Sequence, residues 1–342
     1  MRDAADNALA LTMGEPAGIG PELALKAWLA RDEAGVPPFF FVGDPDHLAD
    51  LAQRLALPAP VMVVPPARAA TTFRLALPVV PIELAVIGAP ARPSVADAPA
   101  VIQSIRAAVE HVAAGHAAAV VTNPIAKAPL LRAGFPHPGH TEFLGELASE
   151  QVGRRLRPVM LLWAEELAVV PVTVHTPLST VPELLTEDLI VETAEIAATD
   201  FARRFGIARP RLALAGLNPH AGEDGELGPE DQAIVAPAVR RLRAEGIDAV
   251  GPLPADTMFH PAARARYDLA IAMYHDQGLI PIKTLAFERA VNVTLGLPFV
   301  RTSPDHGTAF DIAGQGKADP ASLIAALKLA GRLAMADAAV AS

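Results

Sequence analysis

Residues Leu269 to Gly278 read LAIAMYHDQG, and the break inside this stretch sets the fold class. Leu269 to Met273 is a short apolar run with the length and content of a buried strand. It stops abruptly at Tyr274-His275-Asp276-Gln277-Gly278, where polar groups and a turn-former replace the hydrophobes. Lys283, Arg289, Asn292 and Arg301 follow, then Asp305-His306-Gly307-Thr308, Gly314 and Gly316. A hydrophobic core has no use for so many donors, cations and glycines. An anionic small molecule beside a metal does.

The same layout recurs upstream. Val159 to Trp163 and Leu167 to Val174 read as paired strands, the second delivering His175. Pro210 to Leu217 reads as a strand ending in Asn218-Pro219-His220. Ala8 to Thr12 runs into Gly14-Glu15-Pro16-Ala17-Gly18-Ile19-Gly20. Pro38 to Gly43 ends in Gly43-Asp44, and Ala117 to Val121 in Thr122-Asn123. Between these runs lie helical stretches: Pro21 to Trp28, Pro99 to Ala114 capped by Ser94 or Asp97, one from Glu142, Glu187 to Phe205, Pro229 to Glu245 and Ala321 to Met335. Thr180-Val181-Pro182-Glu183 has the spacing of a capping box. Residues 52 to 96 are rich in Ala and Pro, and their apolar runs at 61–64 and 84–87 suggest short strands and loops. Strands alternating with helices predict an α/β fold with a mostly parallel sheet and helices on its faces. No repeat or low-complexity linker marks a domain boundary.

At 342 residues the chain is long enough for about two domains. With 51% hydrophobic and 19% charged residues it is not a disordered chain. A formal net charge of −10 and the lack of a basic face disfavour a nucleic-acid partner, so an anionic substrate has to be held by locally placed cations. The absence of Cys excludes disulfides, thiolate catalysis and cysteine-ligated metals, and fits a cytoplasmic protein. The opening MRDAADNALALTM has too short an apolar run for a signal peptide, and no run approaches a membrane span.

His175, His220 and His275 each lie just after an expected strand, at the carboxyl edge where open α/β sheets bind ligands. Spacing alone leaves two readings: three unrelated loop histidines, or three imidazoles on one divalent metal with a position open for substrate. Asp256 and Asp276 could add carboxylate support. Lys283, Asn292 and Arg301 could clamp a phosphate or carboxylate, or form a solvated charged face, the reading that suits Arg289 beside Glu288. Glycine turn followed by helix at 14–22 suits either an anion-binding loop or a plain tight turn, and its spacing is neither a dinucleotide fingerprint nor a Walker loop. His47, His111 and His116 read as solvated helix ends.

Taken together, TMGEPAGIGPE, TNPIAKAPL, GHTEFL, GLNPHAGE, PADT, YHDQGLIPIK and VNVTLGLPFVRTSPDHGTAFDIAG resemble the 4-hydroxythreonine-4-phosphate dehydrogenase family of vitamin B6 biosynthesis. The resemblance covers nearly the whole chain. It implies an isocitrate/isopropylmalate dehydrogenase-like fold of two α/β domains, here placed at residues 1–130 plus 300–342 on the cofactor side and 131–299 with the metal, substrate and dimer contacts. By the same resemblance, His175, His220 and His275 ligate one divalent metal (Zn, Co, Mg or Mn) in a homodimer whose subunits share each site. His140, Thr141, Lys283, Asn292 and Arg301 contact substrate, Lys283 and Asp276 assist catalysis, and Asp305, His306, Gly307 and Thr308 lie toward NAD or NADP. The activity implied is NAD(P)-dependent oxidation of 4-phosphohydroxy-L-threonine at C3, followed by decarboxylation. Alternatives are a sibling dehydrogenase of a threonate or erythronate 4-phosphate or of an aromatic cis-dihydrodiol, and an acyl-phosphate transferase. Pro304, before DHG, and a glycine-poor stretch at 90–100 depart from the family pattern.

Overall fold

The computed structural model describes residues 7–137 and 139–341, so the segment MRDAAD at the start of the chain lies outside the described residues. The strands are β1 (Leu9–Thr12), β2 (Phe39–Gly43), β3 (Val61–Val63), β4 (Leu77–Pro81), β5 (Val120–Val121), β6 (Val159–Ala164), β7 (Leu167–Thr173), β8 (Leu212–Ala215), β9 (Ala249–Leu253), β10 (Leu269–Tyr274), β11 (Val291–Leu295) and β12 (Arg301–Pro304). The chain divides into two compact units, one comprising residues up to Pro158 together with Leu297 onward, the other Val159–Gly296.

In the first unit the strand order is β3-β4-β2-β1-β5-β12, and every pairing is parallel. Strands β1 and β2 are buried throughout, as strands covered by helices on both faces must be. The chain leaves β1 toward β2 on one side and later returns as β5 on the other. The carboxyl ends of β1 and β5 therefore flank a topological switch point, and the loops after them pack closely there, Glu15 N donating to Pro124 O at 2.8 Å. Buried Ser104, on the helix Ala98–Ala113, ties the region together: its hydroxyl accepts from Met13 N (2.9 Å) and donates to Val42 O (2.6 Å).

In the second unit the order is β11-β6-β7-β10-β8-β9. β6 pairs antiparallel with β11 and β7, whereas β7, β10, β8 and β9 run parallel. The helix His275–Ala286 lays Leu279, Ile282 and Ala286 on a core that includes Val169, Ala270 and Ala272. These positions fall on one helical stripe. A side chain at Gly278 would collide with Val169, so glycine is what lets this helix approach the sheet.

Several expectations need correction. The sequence division put residues 131–158 in the second domain, but they cluster with the first unit, where the helix His140–Val152 packs on Ala98–Ala113. The run at 84–87 is not a strand; Leu84 and Ile87 are exposed, and the strands of this region are β3 at the sheet edge and β4 beside it. Asp44 caps a helix, Pro45–Arg54, that the Ala- and Pro-rich composition concealed, by accepting from Asp46 N and His47 N. Thr180 makes no capping box: its hydroxyl donates back to Pro177 O, and Thr186 caps the long helix Glu187–Arg204. The residues after β10 open a helix directly rather than a loop.

Candidate active site

The parallel neighbours β7 and β10 end level with one another, Thr173 opposite Tyr274, so the next residues of each leave the sheet side by side. That register brings the His175 and His275 rings to 5.6 Å between centroids. They line a cavity of about 350 Å³ with Thr173, Thr176, Leu178, Val181, Tyr274 and Asp276. His175 sits at φ 47°, left-handed backbone that a non-glycine residue rarely adopts. Asp276 Oδ1 lies 2.7 Å from His275 Nδ1. With that nitrogen donating its proton to the carboxylate, Nε2 keeps its lone pair for a ligand.

His220 is held differently. The segment Pro219–Gly225 contains a run of left-handed residues, His220 among them at φ 52°. Fully buried Asp231 supports its start, accepting from Leu217 N (2.7 Å), Asn218 N (3.0 Å) and Asn218 Nδ2 (3.1 Å). Gln277 links this exit of β8 to that of β10, since its amide accepts from Met273 N and donates to Gly216 O, each at 2.7 Å. Among the described residues no group of three or more His, Asp or Glu stands where it could hold a metal ion. The structure thus brings two of the three expected histidines together, with Asp276 on one of them. Asp256 is exposed on the short helix Ala255–Met258 and joins no such group.

Lys283 lies two turns along the helix that His275 opens, its Nζ 6.0 Å from the ring centre of exposed Phe287. Asn292 is on β11, opposite Leu162 of β6. Arg289 pairs with Glu166 at 2.8 Å on the surface, in keeping with its reading as part of a charged face.

The remaining candidates are in the first unit. Arg301 opens β12 and is buried, with Nη2 donating to Thr122 Oγ1 at 2.6 Å. Burial lowers its pKa to about 10, so it remains a cation at neutral pH, but a poorly solvated one. His140 and Thr141 open the helix His140–Val152, whose N-cap position, Gly139, has no side chain to satisfy the free N–H groups. His140 Nε2 is shut off from solvent, with no hydrogen-bond partner among the described residues. Burial, then the charges of Arg301 and Lys127, hold this imidazole's pKa well below its ordinary value. It is therefore neutral.

Asp305-His306-Gly307-Thr308 follows β12 and packs on the loop after β1, where Ile19 N donates to Thr308 O at 3.0 Å. A Cβ on Gly18 would stand 2.9 Å from that same oxygen, so only glycine permits the close approach of the two loops. His306 Nε2 is also buried without a partner. His47 is not a solvated helix end: Nε2 lies 3.2 Å from Pro16 O, and burial lowers its pKa.

A family model described as pyridoxal phosphate biosynthetic protein PdxA matches residues 36–330. The chain belongs to this family. It is 60% identical over 331 residues to 4-hydroxythreonine-4-phosphate dehydrogenase of Methylorubrum extorquens, a match spanning 96% of this chain and 95% of that one. Among solved structures it resembles 4-hydroxythreonine-4-phosphate dehydrogenase from Klebsiella pneumoniae at TM-score 0.85 and 38% identity, covering 96% of this chain and 99% of that one. A terephthalate 1,2-cis-dihydrodiol dehydrogenase from Burkholderia xenovorans LB400 matches at TM-score 0.65 and 29% identity, covering 95% and 98%.

In this PdxA-family chain, two imidazoles with an orienting carboxylate suit a borderline divalent metal, but among the described residues they are too few to enclose it. The buried His306 nitrogen, without a hydrogen-bond partner among the described residues, leaves one polar atom that fits a polar cofactor. Sequence reasoning gave no role to Gln277, Asp231 or Thr122. Only their buried partners reveal what these polar residues do.

Proposed function

We propose that this PdxA-family chain oxidises 4-phosphohydroxy-L-threonine at C3 with NAD(P)+, giving a β-keto acid that loses CO2 to leave 3-amino-2-oxopropyl phosphate. The observation that carries this reading is the 60% identity, across nearly the full length of both chains, to a dehydrogenase of that name. His175, His220 and His275 would together hold one divalent metal in a site shared between the two subunits of a homodimer. Such an ion would lower the pKa of the substrate hydroxyl and polarise the neighbouring carbonyl.

This chain's residues supply the rest. Asp276 fixes the orientation of the His275 ring. Arg301 offers a desolvated guanidinium to an anionic group, which regains in the complex the charge stabilisation lost on burial. Neutral His140 can donate or accept one hydrogen bond without adding charge, and Thr141 follows it into the helix start. Lys283 and Asn292 are assigned to substrate contact, Lys283 also to proton transfer. The DHGT segment would hold the nicotinamide cofactor, whose bound form would supply the hydride acceptor, with the hydroxyl proton passing to a base.

Purified protein assayed with 4-phosphohydroxy-L-threonine, a threonate or erythronate 4-phosphate and an aromatic cis-dihydrodiol, each with NAD+ and NADP+, tests the reading. NAD(P)H formation with the first substrate at a kcat/KM well above the others is expected. A preference for the dihydrodiol would favour the activity of the 29%-identical relative. An acyl-phosphate transferase would give no NAD(P)H at all.

A further inference from the structure

Lys127 is not among the substrate contacts assigned above, yet it stands beside them. It opens the short helix Lys127–Arg132, which follows the Thr122-Asn123-Pro124 exit of β5. Its Cε lies 3.8 Å from the position a Cβ would occupy on Gly139, the N-cap residue of the His140–Val152 helix. Its charge reaches His140, as does that of buried Arg301. Two cations, a buried imidazole nitrogen without a partner and an uncapped helix start therefore share one neighbourhood.

Gathering like charges this way is unfavourable unless something negative separates them. Among the described residues Lys127 has no ion pair. Glu142 Oε2 lies 3.5 Å from the same Gly139 point, and among the described residues no ion pair joins it to the lysine. A cation over a helix N-terminus also faces the positive end of the helix dipole. Donors of this number and variety suit the three oxygens of a phosphate monoester better than the two of a carboxylate.

We propose that Lys127 is a further substrate-binding residue, whose ammonium closes on the phosphate group of the substrate between Arg301 and the start of the His140–Val152 helix. This rests on the function proposed above. It differs from that reading in assigning the group to a residue outside the K…N…R segment. Lys127 acts as a point charge on a flexible stem beside the fixed guanidinium fork.

The test uses Lys127→Met, which keeps most of the apolar stem, and Lys127→Arg, which keeps the charge. Thermal stabilisation of the full-length protein by inorganic phosphate is read beside steady-state kinetics. For Lys127→Met we expect KM for the phosphorylated substrate to rise roughly tenfold or more, with kcat changed by less than about threefold. KM for NAD(P)+ should stay unchanged and most of the phosphate stabilisation should disappear. Lys127→Arg should restore most of both losses. A purely structural lysine would instead lower the melting temperature without separating KM from kcat.

If wild type turns over the substrate and Lys127→Met binds it and inorganic phosphate equally well, the proposal is overturned while the proposed reaction stands. If wild type shows no turnover but is stabilised by phosphate in a Lys127-dependent way, the reaction fails and the phosphate contact stands. If phosphate does not stabilise the wild type, the contact is overturned.

Discussion

Gln277 Nε2 donates to Gly216 O at 2.7 Å, while its Oε1 accepts from Met273 N at 2.7 Å. One buried amide thus ties the end of the strand that delivers His275 to the exit of the strand that precedes His220. Replacing it by Leu, close in size, would leave a buried N–H and a buried C=O unpaired, at about 1–3 kcal/mol each. We expect Gln277→Leu to lose about 2–4 kcal/mol in chemical denaturation. An unchanged denaturation midpoint would mean that water replaces the amide.

The His175–His275 pair predicts metal dependence. Chelator should abolish turnover, and added Zn, Co, Mn or Mg should restore it. Asp276→Asn keeps the shape but weakens the acceptor facing Nδ1, and should lower metal affinity by roughly 10–100-fold in a metal titration. Full activity in excess chelator would remove the metal from the proposal. Equal metal affinity in Asp276→Asn would leave the 2.7 Å contact without functional weight.

Gly18 faces Thr308 O at a distance that leaves no room for a methyl group. Gly18→Ala should push the DHGT loop away from the loop after β1. The expected kinetic signature is a raised KM for NAD(P)+, with KM for the phosphorylated substrate changed far less. Equal effects on both would show that the loop contact serves general folding instead.

Two buried groups should shape the pH dependence of stability in opposite directions. Burial, the largest influence, and the nearby Asp97 charge raise the Glu15 carboxyl above its ordinary 4.5, against the lowering effect of the Ala17 N–H. A raised folded-state pKa means that stability is full below about 4.5 and falls as pH rises through the folded value. Glu15→Gln, which keeps an acceptor for Ala17 N, should therefore gain melting temperature over wild type on going from about pH 4 to pH 8.

His140 behaves in the opposite sense. Its folded pKa is depressed, so stability is full above the ordinary 6.5 and lost as pH falls below it. His140→Asn should flatten the acid side of the melting-temperature profile. His47 and His111, both lowered by burial, keep part of that slope. A wild-type melting temperature that is level between about pH 7 and pH 5 would contradict this account.

Much of the fold was legible because the apolar runs are short and sharply bounded. Val159 to Trp163, Leu167 to Val174 and Leu269 to Met273 all became strands close to the expected limits, since strands with little exposed surface need a nearly continuous hydrophobic run. Strand β12 was not legible. Its sequence, Arg301-Thr302-Ser303-Pro304, is polar, yet all of it is buried, with Thr302 donating to Ala326 O. Nor was the helix after Asp44 visible, because its packing face holds little more than Leu48, Leu51 and Ala52.

By itself, the sequence determined the α/β class, the placing of histidines at strand ends and, through motifs spread along the chain, family membership. Those properties depend on local periodicity and residue identity. Tertiary structure decided which imidazoles meet: β10 inserts between β7 and β8, so His275 comes beside His175, while His220 is carried on a left-handed segment held by Asp231. It also decided that residues 131–158 pack with the first unit, and that the Arg301 guanidinium is buried next to Thr122, 179 residues away in the chain. Strand order and side-chain burial arise from contacts between distant segments, and no local pattern encodes them.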